Sequence, residues 1–157
     1  MAYQDIITID QAKAYLRIDD GMSADDMFVG IMINTAFQYI EQFTNVICVA
    51  VDKVYRYDEN KEVRVYDFPI NTEILPSGVD VEYNDLYEIY YSDFGSDIES
   101  VSLNVGYELA TDVPNDLVVV AYEIIDVLYY GKESGKSIDD LSPMAMQILW
   151  NNKRFML

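Results

Sequence analysis

Two changes of hydrophobic period, and one helix that is apolar almost all the way round, predict an α+β fold. Up to about residue 45 the apolar side chains recur at intervals of three and four, which is the helical period. From 46 to 110 the pattern becomes β-branched and aromatic with a period of two, and from 113 onward helical spacing returns. The expected architecture is about four helices: two N-terminal, one central and one C-terminal. A small antiparallel β-sheet is inserted between the second and third. The expected organisation is a single domain over 1–157, helical at 5–45, β-rich at 46–110 and helical at 113–157.

Thr8 and Gln11 have capping-box spacing, and Ala12, Tyr15 and Leu16 follow at helical intervals. A short helix is therefore expected from Thr8 to Ile18, broken by Asp19-Asp20-Gly21. Ser23 is the expected cap of a longer helix reaching Thr44, with Asp25 and Asp26 at the positive end of its dipole. Met27, Phe28, Ile31, Met32, Ala36, Ile40 and Phe43 then read as one core-facing stripe. The alternative for its Met-rich start is an adaptable binding groove.

Val49, Val51, Val54 to Tyr57 and Val63 to Phe68 read as strand segments, with Asp58-Glu59-Asn60-Lys61 as a hairpin loop and Pro69 as a stop. Ile74-Leu75-Pro76-Ser77-Gly78 and Phe94-Gly95-Ser96 read as turns. Tyr87 to Tyr91 and Val101 to Tyr107 complete a sheet of about four to six strands.

The central helix is expected from Val113 to Gly131, with Pro114 at its first position, Asp116 near the dipole and Gly131 as a left-handed stop. Its apolar residues, from Leu117 through Leu128, cover most of the circumference. Only Glu123, Asp126 and Tyr130 form a polar strip. Such a helix is buried on most sides, within its own domain or partly against another subunit. After a polar link from Lys132 to Lys136, Ser142 and Pro143 open a final helix through Met146, Leu149 and Trp150.

Composition narrows the chemistry. The chain has 157 residues, 51% of them apolar, enough for a real core, and its 14 tyrosines supply amphipathic contact area. No apolar run approaches the length of a membrane span, and Met1 to Asp5 lacks the features of a secretory signal, so no membrane partner is expected. Cys48 stands alone, which excludes an internal disulfide and fits a reducing compartment. With no histidine, Ser-His-Asp and Cys-His catalysis and His-ligated metals are ruled out. The aspartates at 19, 20, 25 and 26 do not fit a calcium loop, because Gly21 and Ser23 occupy its third and fifth positions. No phosphate-binding glycine motif is present, so no cofactor and no enzymatic activity are expected.

The net charge is −18, and no Lys or Arg occurs between Val65 and Gly131. A nucleic-acid binder needs the opposite balance. The excess fits a soluble surface, one that lies near DNA without holding it, or one that meets a basic partner.

Four blocks in order resemble the head–tail connector (adaptor, or head-completion) proteins of long-tailed double-stranded DNA phages. The first is I-T-I-D-Q-A-K-A-Y-L-R-I-D-D, from Ile7 to Asp20, and the second is the long helix from Asp25 to Phe43-Thr44. The third joins Gly106-Tyr107 to Val113-Pro114, Asp116-Leu117, Ala121 and Leu128-Tyr129-Tyr130; the fourth is Leu141-Ser142-Pro143. Together they cover about half of the chain. The sequence departs from the family in having Gly131-Lys132-Glu133 after the central helix, where Arg-Glu is common, and in its longer β region.

The resemblance implies a structural virion protein of the neck, assembled in the host cytoplasm. About a dozen copies would form a ring between a portal protein and a stopper or tail-completion protein, with double-stranded DNA passing through the lumen. On that reading, Val118, Val119, Tyr122, Ile125 and Tyr129 are candidates for the subunit interface on a second apolar face of the central helix. Trp150, Lys153, Arg154 and Phe155 are candidates for docking to a partner. The competing readings are an acidic DNA mimic that inhibits a DNA-binding protein, and a hydrolase working with carboxylates alone, for which no site pattern stands out.

Overall fold

The structure, a computed structural model, describes residues 1–19, 21–60, 62–71, 79–83, 88–92 and 99–154. It begins with a helical turn that the sequence pattern did not announce. α1 (Tyr3–Ile6) forms because the Asp5 carboxylate accepts the Ala2 N–H at 2.6 Å, and the Tyr3 ring stacks on Phe37 with centroids 5.4 Å apart. α2 (Ile9–Leu16) carries the expected capping box: Thr8 Oγ1 accepts the Gln11 N–H at 3.2 Å and Gln11 Oε1 accepts the Thr8 N–H at 2.9 Å. Arg17, left-handed at φ 58°, ends it before the expected breaker.

α3 (Asp26–Thr44) starts later than the Ser23 cap predicts. Ser23 to Asp25 form a single 3-10 turn, and no side chain caps the helix that follows. The entry is fixed by charge instead. Lys13, only 2% exposed, reaches from α2 to place its ammonium 2.8 Å from Asp26 Oδ1, and it also donates to the Met22 carbonyl at 3.2 Å.

The core stripe of α3 also differs from the expected one. Val29, Met32, Ile33, Ala36, Phe37 and Ile40 are buried, while Met27, Phe28 and Ile31 are 80%, 53% and 50% exposed. The start of this helix is apolar on neighbouring stripes, so the periodicity fits either. The helices packed against it, α2 and α4 (Asn115–Ser134), decide which one is covered.

Among the described residues there are five strands, β1 (Val51–Arg56), β2 (Glu62–Val65), β3 (Val79–Tyr83), β4 (Glu88–Ser92) and β5 (Ser100–Val105), and their pairings are antiparallel. They make two sheets rather than one, β1–β5 and β2–β4–β3. The loop after β1 does turn as expected: Asp58 Oδ1 accepts the N–H groups of Asn60 and Glu62 at 2.8 and 2.9 Å. Its two strands then separate, β1 placing Val51 opposite Val105 and β2 placing Val63 opposite Tyr90. Val63 and Val65 pack with Ile47, Val101, Leu103 and Val105 in a small cluster between the sheets, which holds them together without a shared ladder. The turns expected around Pro76 and Gly95 lie outside the described residues.

α4 begins one residue later than expected, with Pro114 as its N-cap, and runs a turn further, to a left-handed Gly135 at φ 71°. Gly131 is therefore not a stop. It is buried within the helix, and a Cβ there would lie 2.6 Å from the Lys136 carbonyl oxygen of the returning chain. Gly131→Ala should destabilise the protein by about 2 kcal/mol despite alanine's better helix propensity, because backbone must move to make room. Urea denaturation measures this; an unchanged or raised midpoint would mean that the Lys136 turn yields freely.

α5 (Pro143–Asn152) has the expected start, with Ser142 Oγ accepting the Ala145 N–H at 3.1 Å and Pro143 in the first turn. Glu123 of α4 anchors the same cap, accepting from the Ser142 N–H and, at 2.8 Å, from its hydroxyl. The main core joins α2, α3, α4 and α5 through Leu16, Ile33, Phe37, Leu117, Ile124 and Leu149.

Candidate assembly surfaces

A half-buried carboxylate with a raised pKa forms a polar joint. Glu41, late in α3, accepts the Tyr3 hydroxyl at 2.8 Å and the Cys48 N–H at 2.7 Å. This ties α1 and the approach to β1 onto one helix. Burial raises the Glu41 pKa from its ordinary 4.5, against the lowering effect of those hydrogen bonds. Burial also pushes the Cys48 thiol up to about 12, with the Glu41 charge adding to the effect, so it is not a nucleophilic thiolate at neutral pH.

Because the folded state raises the Glu41 pKa, it binds this proton more tightly than the unfolded chain does. The group's contribution to stability is therefore present in full below about pH 4.5 and is lost as pH rises through the raised folded value. Glu41→Gln keeps an acceptor for the Cys48 N–H and removes the titration. Urea midpoints of the variant, measured against wild type from pH 4.5 upward, should gain on wild type as pH rises and then level off. A gap that narrows with rising pH would give the carboxylate the opposite role.

A second polar joint lies at the sheet. The Tyr55 hydroxyl donates to Asp67, whose other oxygen is 3.1 Å from Lys53 Nζ. Among the described residues no group of His, Cys, Asp and Glu is arranged to hold a metal ion, and no helix is long and apolar enough to cross a membrane.

The structure treats the five candidate interface residues of α4 unequally. Val119 is 48% exposed, and Val118, Tyr122 and Tyr129 are half-buried. The Tyr122 ring lies 4.9 Å from that of Tyr15 on α2, and the Tyr129 ring lies 4.9 Å from that of Tyr130. Ile125 is fully buried in the core, so it offers no outward contact. The helical spacing from Val118 to Tyr129 is right for one face, but Ile125 lies at its inner edge, where the core covers it, while Tyr129 beyond it is again half-buried.

The C-terminal candidates are engaged within the subunit. The Trp150 ring meets Phe43 edge-on at 5.2 Å, and Lys153 Nζ sits over both rings at 4.6 and 4.8 Å. The Arg154 guanidinium lies 4.8 Å over Phe68, while its backbone N–H donates to the Thr44 carbonyl and its carbonyl accepts from Asn45 Nδ2, both at 2.8 Å. The chain leaving α5 is thus latched across the end of α3, with Trp150 still half exposed. Phe155 lies outside the described residues.

Sequence reasoning missed the Glu41 joint and the Lys13–Asp26 pair, and it read the start of α3 as core with an adaptable groove only as the alternative. Of the two missed, the second left a signal: Lys13 falls on the stripe of Ile9, Ala12 and Leu16, where a charge requires a partner.

No protein-family model matches the chain, and no curated protein does. Solved structures do. A chain from the neck of an empty gene transfer agent particle, computed with C6 symmetry, superposes with a TM-score of 0.75 at 11% identity, covering 100% of this chain and 94% of that one. A chain from the virion of a native gene transfer agent particle gives 0.74 at 11% identity over the same shares. At this identity the likeness is one of fold.

Proposed function

We propose that this chain is a structural neck protein of a phage-like particle, a ring-forming head–tail connector through which double-stranded DNA passes. The observation that carries the reading is the fold shared along 100% of the chain with a chain of a gene transfer agent neck. It agrees with the four ordered blocks that resemble phage connectors, a resemblance drawn from the sequence alone.

In this reading the protein is not an enzyme. Its partners are further copies of itself, a portal protein on one side and a stopper or tail-completion protein on the other. The ring forms in the host cytoplasm and resides in the virion neck. Each copy adds a net charge of −18 to a closed wall. A duplex within about one Debye length of that wall, roughly 8 Å, is repelled and slides rather than sticks. Val119, with Val118, Tyr122 and Tyr129 beside it, supplies one subunit contact, and the latch of Trp150, Lys153 and Arg154 faces the portal.

Co-purification with a portal ring tests the partner assignment. Retention of stoichiometric protein at moderate salt is expected, and failure to bind any portal would count against it. The acidic stretch from Val65 to Gly131 also fits a DNA mimic. Stoichiometric inhibition of a DNA-binding enzyme, without assembly, would favour that reading instead.

A further inference from the structure

The first turns of α3 expose three large apolar side chains in adjacent positions, Met27, Phe28 and Ile31. Helical spacing makes them neighbours, since Ile31 lies four residues after Met27 and three after Phe28. With 80%, 53% and 50% of their surfaces exposed, they form an apolar patch on the order of a few hundred Å², a size that is often functional on a monomer. None of them is needed by the core, which α3 serves through Val29, Ile33 and Phe37.

The face carries no charge. From Met27 to Ile40 the sequence has no ionisable residue other than Tyr39, in a chain of net charge −18. The apolar patch is continued along the helix by Asn34, Thr35 and Gln38. Asn34 and Gln38 form the near wall of an open groove of about 460 Å³, whose far side, beyond the patch, carries Glu41 and Lys53. An apolar centre with an uncharged polar margin is the composition of an interface core.

We propose that this face of α3 is the second half of the contact between copies of this chain. It receives the outward face of α4, around Val119, from the next subunit. The inference rests on the ring reading given above. A ring closes through head-to-tail contacts, so each subunit must offer two different surfaces that fit one another. α3 and α4 pack together through their buried sides, and each keeps exposed apolar side chains, Met27, Phe28 and Ile31 on one and Val119 on the other. A basic partner would be drawn to the acidic surface elsewhere on the molecule. Another copy, itself at −18, approaches at least cost where no charge is present.

The test uses Met27→Gln with Ile31→Gln, which removes apolar area while keeping net charge and helix propensity. Circular dichroism and thermal melting should match wild type, because both side chains are at least half exposed. Light scattering across a concentration series should then show assembly shifted to at least about tenfold higher concentration. Val119→Asp is run alongside as a probe of the α4 half. If the double variant assembles like wild type while Val119→Asp does not, the α3 face is not the contact and the ring reading survives. If wild type stays monomeric alone, the series is repeated with a portal ring present: a double variant that joins the portal-bound ring as well as wild type overturns this inference, and a wild type that assembles in neither condition overturns the ring reading with it. Loss of binding to phosphatidylglycerol vesicles, with self-association intact, would assign the face to a membrane and overturn the proposal.

Discussion

Val119→Asp is expected to abolish assembly while leaving the subunit folded, and Ile125→Asp is expected to unfold it. The two valine and isoleucine positions sit on the same helix, less than two turns apart, and both belong to the apolar face read from the sequence. Their environments are opposite: Val119 is 48% exposed and Ile125 is fully buried. A carboxylate at Val119 remains hydrated and adds charge to a contact that has to exclude water, so its cost falls on association. At Ile125 the carboxylate has no partner among core side chains and costs more than about 4 kcal/mol, a large share of a typical domain's stability. Circular dichroism separates the two, and light scattering reads assembly. A folded Ile125→Asp protein would mean that the core around α4 is looser than the structure shows. A folded Val119→Asp protein that still assembles would remove α4 from the ring contact.

The second large effect concerns the ion pair at the entry to α3. Asp26→Asn leaves the Lys13 ammonium almost fully enclosed without its carboxylate, while the Met22 carbonyl remains at 3.2 Å. Breaking a buried pair from one side costs about 3–5 kcal/mol; because Asp26 is 42% exposed, about 2–3 kcal/mol is expected here. Adding Lys13→Met to the same background should recover most of that loss, since an apolar chain of similar length fills the stem's path and needs no counter-charge. Urea unfolding of wild type, the single variant and the double variant gives the comparison. A double variant no more stable than Asp26→Asn alone would show that the ammonium contributes through contacts other than this pair.

The elements legible in the sequence are those whose determinants lie a few residues apart. Thr8 finds Gln11, Ser142 finds the Ala145 N–H, and both helices start where these short-range hydrogen bonds place them. What escaped depends on distant parts of the chain. β1 reads as the partner of the strand that follows it, yet pairs with β5, because the strand ends carry no signal for a partner some fifty residues away. Gly131 looks like a helix stop; only the Lys136 carbonyl folding back on it shows that the missing side chain is needed for space. The start of α3 is apolar on neighbouring stripes, and its exposed stripe became visible only once α2 and α4 had covered the other.

The candidate site follows the same division. The outward position of Val119 had a signal, since it lies four residues before Glu123 on the strip of Glu123, Asp126 and Tyr130; grouping it with Ile125 on one apolar face ignored that strip, which is narrow on a helix apolar nearly all round. The aromatic and basic residues of the C-terminus were legible as a group. Their engagement with Phe43 and Phe68 was not, since it joins residues over a hundred positions apart in one case and more than eighty in the other. The Glu41 joint left no trace in the sequence, because a lone Glu on a helix face is ordinary until Tyr3 and the Cys48 N–H are brought to it.

The most direct measurement is negative-stain imaging of the largest species recovered from size-exclusion chromatography, alone and after incubation with a portal ring. The connector account predicts closed rings with a central hole of roughly 20 Å or more, wide enough for a duplex. A protein that stays monomeric in both conditions, or that forms open chains without a lumen, would contradict it.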